Sequence, residues 1–227
     1  MFPQRRAGTV GNRSSIIGGA VAAPTRTAQT IRRDLTGALA TCVSEKGYSA
    51  TTIADIVALA RVSKRTFYEH FTDKEECLMA LYEHVCDRLM LIIRAAASGD
   101  QPWPQRIGDG AAAYLGALET MPQFTRTMLI EVQAAGQRAF MLRQRTLQGF
   151  AQTLVDLVEV GRQHDPGLEP LSPAQALAIV GGINELLLHA IDPYAPAVAP
   201  DGGRDGRFAA LHADVVRLIS AVLNFRP

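Results

Sequence analysis

The chain has 227 residues, enough for one or two domains with a sizeable core, and its apolar share of 48% is ordinary for a soluble protein. No apolar run approaches the roughly 20 residues that span a bilayer, so we predict no membrane segment. The net charge of +1 conceals an asymmetry. Residues 1–75 hold eleven Lys/Arg and six Asp/Glu, a net +5, whereas the remainder carries −4. This distribution favours binding to a polyanion through one end of the molecule.

Residues 1–25 are predicted to form a flexible N-terminal arm. Residues 16–23 follow several arginines and faintly resemble a signal peptide. That apolar run is only eight residues long and contains Gly18 and Gly19, which favours the arm over a signal peptide.

A helix-turn-helix is predicted at residues 51–71, after a first helix whose apolar stripe ends at Gly47. The members of that stripe are Ile31, Leu35, Leu39, Cys42 and Val43. The second helix has its apolar residues at helical spacing, namely Ile53, Ile56, Val57 and Ala60. Thr52, with Asp55 three residues later, fits the capping pattern of this helix. Residues 60–62 are the predicted turn.

The third predicted helix carries a cationic outward face. Ser63 is a good N-cap residue, and Phe67 and Phe71 are spaced to point inward. The outward positions hold Lys64, Arg65, Thr66, Tyr68 and His70. Glu69 is the only acidic residue between positions 61 and 70, whereas an ordinary surface helix balances its charges. This pattern is typical of a helix-turn-helix that reads DNA, and a solvated basic face on a helical hairpin is the alternative.

The rest of the chain is predicted to be helical as well. A capping box at residues 72–75 begins a fourth helix that extends to about residue 97. Five further helices are predicted at about residues 105–119, 123–135, 137–163, 173–190 and 207–224, with a Pro/Gly-rich loop at 192–206. No apolar alternation is long enough to predict a strand. The predicted fold is therefore all-α, with about nine helices.

Three cysteines, Cys42, Cys77 and Cys86, bear on the cellular compartment. Their number is odd and their spacing fits neither a disulfide framework nor a metal site. We therefore predict a cytoplasmic protein with no metal and no cofactor. Each cysteine lies on or beside a predicted apolar stripe and is interpreted as a core residue, with a redox-sensing thiol as the alternative.

Residues 47–85, GYSATTIADIVALARVSKRTFYEHFTDKEECLMALYEHV, resemble the DNA-binding domain of the tetracycline-repressor (TetR/AcrR) family of bacterial regulators. The likeness covers about residues 27–85. It departs from the family at Arg61, where glycine is frequent, and this arginine could add a phosphate contact. The resemblance implies an N-terminal three-helix DNA-binding domain at 26–72 and a helical ligand-binding and dimerisation domain at 73–227.

The predicted DNA contacts follow from the outward face of the third helix and from the resemblance. Lys64 and Arg65 are the first candidates for base edges or nearby phosphates, because Arg bidentate to guanine is the commonest specific pairing. The whole predicted set is Thr51, Thr52, Ser63, Lys64, Arg65, Thr66, Tyr68, His70 and Lys74. The family pattern assigns Tyr68 and His70 mainly to phosphates. Arg26 and the arm before it are predicted to reach the backbone or the minor groove.

The resemblance also implies a homodimer through the last two helices, at about residues 173–190 and 207–224, bound to a near-palindromic DNA operator. A larger core within one chain is the alternative use of their wide apolar surfaces. A small-molecule effector would bind in the body and release the repressor from DNA. The candidate lining residues are Trp103, Tyr114, Phe124, Met128, Glu131 and Phe150, and their apolar character favours a lipophilic effector.

Other classes of protein fit the sequence less well. The phosphate-binding and hydrolase motifs GxGxxG, GxxxxGK[ST], GxSxG and HExxH are absent, so an enzyme is not predicted. A nucleoid-type DNA binder would not need a mildly acidic body of about 150 residues. A helical protein-interaction module with an incidental cationic end is the third alternative.

Overall fold

The N-terminal three helices form where local capping chemistry predicts them. The structure is a computed structural model that describes residues 26–121, 125, 127–132, 135–191 and 206–223. Helices α1 (Ala28–Lys46), α2 (Ile53–Ala60) and α3 (Lys64–His70) follow one another through short connections. The Gly47 N–H donates to Val43 O at 2.8 Å, which confirms Gly47 as the residue that ends α1. The predicted arm, at residues 1–25, lies outside the described residues.

Five further helices build the body. They are α4 (Lys74–Ala96), α5 (Trp103–Glu119), α6 (Gln137–Arg162), α7 (Pro173–Ile191) and α8 (His212–Leu223). A π-helical segment, Thr127–Glu131, lies between α5 and α6, and a 3-10 turn, Ala209–Leu211, leads into α8. Counted with the π-helical segment, the described residues contain nine helices and no strand, which confirms the predicted all-α fold. The last helix begins at His212 rather than at about 207.

The start of α4 differs from its predicted capping box by one residue. The N-cap is Asp73, whose carboxylate accepts from the Glu76 N–H at 2.7 Å. The Glu76 carboxylate in turn accepts from the Thr72 N–H at 2.6 Å. The Asp73 and Glu76 carboxylates thus fix the start of α4 at Lys74, three residues after Phe71, the C-cap of α3.

Two apolar cores share one helix. The smaller core joins α1, α2 and α3 and includes Cys77 and Leu78 from the first turns of α4. The larger core joins the rest of α4 to α5, α6, α7 and α8. Cys42, Cys77 and Cys86 are all buried, and burial raises the pKa of the Cys77 and Cys86 thiols to about 12. Such thiols stay protonated and unreactive at neutral pH, as expected of core cysteines.

Candidate DNA-binding surface and effector cavity

Helix α2 is fixed by hydrogen bonds at both of its ends. Thr52 and Asp55 form the predicted capping box, since the Asp55 carboxylate accepts from the Thr52 N–H at 2.8 Å and the Thr52 hydroxyl accepts from the Asp55 N–H. At the other end, Arg61 adopts the left-handed conformation with φ 55°, and the Val62 N–H donates to Val57 O at 3.0 Å. This is the hydrogen-bond pattern of a Schellman ending, in which glycine is the usual left-handed residue.

The orientation of α3 is set by its two phenylalanines. Phe67 and Phe71 are buried in the smaller core, with ring centroids 5.7 Å apart. The opposite face is open: the Tyr68 residue is 58% exposed and the Arg65 side chain is 90% exposed. Arg65 Nε donates to Glu69 at 3.1 Å, a surface pair one helical turn apart that is weak in water. The structure therefore presents Lys64, Arg65 and Tyr68 together on solvent-exposed α3.

Two predicted DNA contacts, Thr51 and Lys74, have other partners inside the protein. The Thr51 residue is only 1% exposed, and its hydroxyl donates to Gly47 O at 2.8 Å, which argues against a contact between this side chain and DNA. Lys74 Nζ donates to Tyr48 O at 2.6 Å and to Thr51 O at 2.7 Å. The ammonium also lies 4.1 Å from the centre of the Tyr48 ring. Lys74 thus ties α4 to the loop between α1 and α2, and one of its three N–H groups is left for DNA.

Two arginines, one on α1 and one just before it, contact the helix-turn-helix in a way that the sequence did not predict. Arg32 donates to His70 O at 2.9 Å, at the end of α3, and its guanidinium lies 4.3 Å from the centre of the Phe71 ring. Arg26 donates to Ala60 O at 3.2 Å, where α2 ends. Both arginines contact the C-terminal carbonyls of short helices, where a positive charge is favourable. Nothing in their sequence spacing identifies these partners, because they lie more than 30 positions away.

A polar latch joins the start of α4 to the start of α6. Arg138 lies 2.9 Å from the Asp73 carboxylate and 3.6 Å from that of Glu75. The Glu75 carboxylate also accepts from the Ala139 N–H at 3.2 Å. Burial opposes ionisation of Asp73, but hydrogen bonds from the Glu76 N–H and Arg138 lower its pKa. Asp73 is therefore ionised at neutral pH, and its contribution to stability is lost only as the pH falls through its lowered pKa.

The body contains an apolar cavity of about 100 Å³ among α4, α5, α6, α7 and α8. Four of the six predicted lining residues lie on its wall: Trp103, Tyr114, Met128 and Phe150. Tyr114 and Phe150 contact each other edge to face, with ring centroids 5.9 Å apart. Phe124 lies outside the described residues, and the side chain of Glu131 is not described. The cavity is smaller than the roughly 150 Å³ engineered cavity that binds benzene, so a ligand must be slender or must widen it.

Helix α7 exposes an apolar face that the described part of the chain leaves uncovered. It is long and apolar enough to cross a membrane by length and composition, yet only 22% of that window is buried within the chain. The exposed stripe includes Leu177, which is 42% exposed, and Gly181, beside which a Cβ would meet no atom within 4 Å. On the inner side, a Cβ on Gly182 would lie 3.0 Å from Leu218 of α8. The pair α7 and α8 is therefore closely packed, with one small-residue face open.

Comparison with known families places the N-terminal domain. The model for "Bacterial regulatory proteins, tetR family" matches residues 35–81, which span most of α1, the helix-turn-helix and the start of α4. Two curated relatives come from Bacillus subtilis (strain 168). The uncharacterized HTH-type transcriptional regulator YxbF is 28% identical over 78 residues, 34% of this chain and 20% of that protein. The uncharacterized HTH-type transcriptional regulator YuxN is 24% identical over 162 residues, 69% of this chain. The chain spans about half of YuxN and a fifth of YxbF.

Solved structures share the fold of nearly the whole described chain. The fatty acid degradation regulator FadR from Bacillus halodurans matches with a TM-score of 0.71 at 18% identity, covering 86% of this chain and 97% of its own. FadR from Bacillus subtilis, solved in complex with stearoyl-CoA, matches with a TM-score of 0.68 at 16% identity. The match covers 85% of this chain and 97% of that FadR chain. At such identities these neighbours establish the fold. Residues 35–81 therefore match the N-terminal domain of the tetR family of bacterial regulatory proteins, and the described chain has the fold of these solved structures.

Proposed function

We propose that this protein is a sequence-specific DNA-binding transcriptional regulator, a repressor that a lipophilic effector releases from a near-palindromic operator. The exposed cationic face of α3 is the observation that carries this proposal. Lys64 and Arg65 project from a helix whose orientation is fixed by buried Phe67 and Phe71. A short helix held in this way fits the major groove, and Arg65 has the donor geometry that pairs with guanine.

A homodimer through α7 and α8 is the second part of the proposal. The open face of α7, with Leu177 and Gly181, gives a second copy an apolar surface that permits close helix approach. Two copies related by a twofold axis would place two α3 helices about one DNA turn apart. This arrangement accounts for an apolar face that would otherwise be exposed to the cytoplasm.

The effector is proposed to enter the apolar cavity of the body. The B. subtilis FadR neighbour was solved with stearoyl-CoA, and an acyl chain is the kind of group that an apolar cavity accepts. Because the cavity is only about 100 Å³, a ligand of this kind would have to separate α4 from α6. Displacement of α4 would change the spacing of the two α3 helices in the dimer. Coupling of this kind typically amounts to about 1–3 kcal/mol and is reciprocal.

Fluorescence anisotropy of the full chain tests the DNA-binding part. Duplexes that tile the DNA flanking its own gene are titrated at two salt concentrations, beside a scrambled duplex. We expect tight binding to one near-palindromic segment, with two protomers or a multiple of two per site. The variant Lys64→Ala/Arg65→Ala should lose this preference. The variant Arg145→Ala removes an exposed cation from α6 and should retain it.

A contrary result is equally clear. Weak binding that follows salt on every duplex, unchanged by Lys64→Ala/Arg65→Ala, would contradict a specific regulator and favour the nucleoid-type alternative. Binding that is specific but insensitive to Lys64→Ala/Arg65→Ala would move the recognition surface away from α3.

A further inference from the structure

Arg106 of α5 is a buried cation without an anionic partner among the described residues. The residue is 4% exposed, and its Nε donates to Ala97 O at 2.7 Å, just beyond the end of α4. This bond gives Arg106 a structural role, because it satisfies a carbonyl at the negative end of a helix. It uses one of five N–H donors. The two terminal nitrogens, which carry the other four, meet no acceptor in the described part of the chain.

Trp103 supplies a second unused donor beside this arginine. The Arg106 guanidinium carbon lies 5.1 Å from the centre of the indole ring. The indole Nε1 is buried, and no hydrogen-bond acceptor for it is present among the residues described. The ring is held in place by Gly161, since a Cβ on that residue would lie 2.7 Å from the ring edge. Glycine at position 161 therefore leaves space for the indole ring, and the ring lies where its N–H has no acceptor among the described residues.

The two donors differ in their access to solvent. The indole N–H of Trp103 is buried without an acceptor among the described residues, and an unsatisfied buried donor costs about 1–3 kcal/mol. The terminal nitrogens of Arg106 are not enclosed in this way, because Arg106 also lines an open recess. Arginine remains protonated in proteins, so its positive charge persists at this position. A donor pair of this kind is therefore suited to bind an acceptor that the folded chain does not itself provide.

Arg106 lies where the apolar cavity meets a second, polar recess of about 350 Å³. Other charges line this recess, but they do not serve Arg106. Arg94 pairs with Asp156 at 3.0 Å, and Asp100 is exposed to solvent at the rim. His164 Nδ1 lies 3.1 Å from Val160 O. Among the described lining residues, Arg106 alone combines a buried positive charge with access to both spaces.

We propose that Arg106 and the indole Nε1 of Trp103 form an anion-binding site, so that the effector is an amphipathic anion. Its apolar part occupies the cavity and its anionic group takes the unused donors. This inference rests on the proposed ligand-binding function and narrows it to a chemical class. The anion is either the carboxylate of a free acid or a phosphate of a thioester conjugate, since the guanidinium binds both.

The sole tryptophan of the chain makes the test direct, because Trp103 lies in the proposed site. The full chain is titrated with octanoate, with 1-octanol and with octanoyl-CoA, and Trp103 emission is recorded. We expect octanoate or octanoyl-CoA to bind at least about tenfold more tightly than 1-octanol, as for one or more charge-assisted hydrogen bonds. Tighter binding of octanoate identifies a carboxylate site, and tighter binding of octanoyl-CoA alone identifies a phosphate site.

Variants assign the effect to Arg106. Arg106→Gln should weaken binding of the anionic ligand about tenfold or more and leave 1-octanol within about threefold. Arg162→Gln is the matched control, because Arg162 also donates its Nε to a carbonyl, Leu168 O at 3.1 Å, but does not line either space. It should change neither affinity. The comparison of octanoate with 1-octanol on the unaltered protein remains decisive even if Arg106→Gln fails to fold.

Two results would contradict the anion site. One of them would also contradict the proposed effector cavity. Equal binding of octanoate, octanoyl-CoA and 1-octanol would reject the anion site while the proposed lipophilic effector survives. No effect of any of the three on Trp103 emission or on DNA affinity would reject the anion site together with the effector cavity. DNA binding, measured without ligand, would stand in both cases.

Discussion

Replacing Arg61 by glycine should stabilise the protein while weakening its contact with DNA. Arg61 is exposed at the end of α2 and is the non-glycine residue with positive φ in the described part of the chain. The left-handed conformation costs an L-residue about 1–2 kcal/mol. Glycine removes this strain from the folded state, but it lowers the free energy of unfolding by about 0.4–1 kcal/mol because the unfolded chain gains conformational entropy. We therefore expect a net gain of about 0.5–1 kcal/mol, or about 1–4 °C in Tm for a chain of this size.

The variant Arg61→Ala separates the backbone effect from the side-chain effect. Alanine keeps the Cβ and hence the strain, so its Tm should stay close to that of the unaltered protein. Both variants lack the guanidinium, which we predict to contact a phosphate. Both should then bind every duplex more weakly, with a salt slope shallower by about one for each lost contact.

The assay combines thermal unfolding by circular dichroism with anisotropy on one duplex over a range of salt concentrations. A lower Tm for Arg61→Gly, or an equal rise for Arg61→Ala, would refute the strain argument. An unchanged salt slope in both variants would remove Arg61 from the DNA surface, and the arginine would then have no role that offsets its strained backbone.

Four further changes test other parts of the molecule. Arg65→Ala should cost about 1–3 kcal/mol on the cognate duplex and relax its specificity, whereas an equal loss on scrambled DNA would make Arg65 a phosphate contact. Lys74→Ala should lower the Tm, because the carbonyls of Tyr48 and Thr51 lose their hydrogen-bond donor. A salt slope of DNA binding that becomes shallower by about one would support a phosphate contact by Lys74, and an unchanged slope would exclude that contact. Leu177→Asp should convert a dimer to monomers in sedimentation equilibrium, and an unaffected dimer would place the interface elsewhere. Arg138→Ala should leave operator affinity without effector nearly unchanged but reduce the ratio of affinities measured with and without effector; an unaltered ratio would exclude the latch from the coupling.

Local chemistry accounts for where α2, α3 and α7 begin. Thr52 and Ser63 cap α2 and α3 as predicted. In each case the side-chain oxygen accepts a hydrogen bond from the backbone N–H three residues later, which has no partner within the helix. The Ser172 hydroxyl accepts from the Gln175 N–H at the start of α7 for the same reason. Phe67 and Phe71 were placed inward by helical spacing alone. These are contacts within one turn of the chain, which sequence order determines.

The parts that the sequence did not predict depend on residues far apart in the chain. Thr51 was assigned to DNA as a polar residue before a helix, but the fold turns it inward onto Gly47. The sequence pattern did not single out Arg106 of α5, whose contacts are with the end of α4 and the Trp103 ring. Arg138 finds its acids more than 60 positions earlier. Helical periodicity tells which face a residue occupies, but not which other helix covers that face.

Helix α4 is the element through which the cavity and the DNA surface could be coupled. Its 23 residues extend about 34 Å, and a helix of this length moves as one body. Cys77 and Leu78 at its start belong to the smaller core with α3, whereas Tyr82, one turn further on, lines the cavity. A ligand that pushes on Tyr82 therefore acts on a helix already attached to the DNA-binding domain.

The latch determines what such a push can do. Arg138 and Ala139 of α6 hold Asp73 and Glu75, so α4 cannot move away from α6 at its N-terminal end while these contacts persist. With the latch closed, a wider cavity must tilt α4 about its first turn. With the latch open, α4 and the attached α1–α3 can shift together. Coupling requires two discrete arrangements that ligand and DNA favour unequally, and the Arg138→Ala variant tests whether the latch distinguishes them.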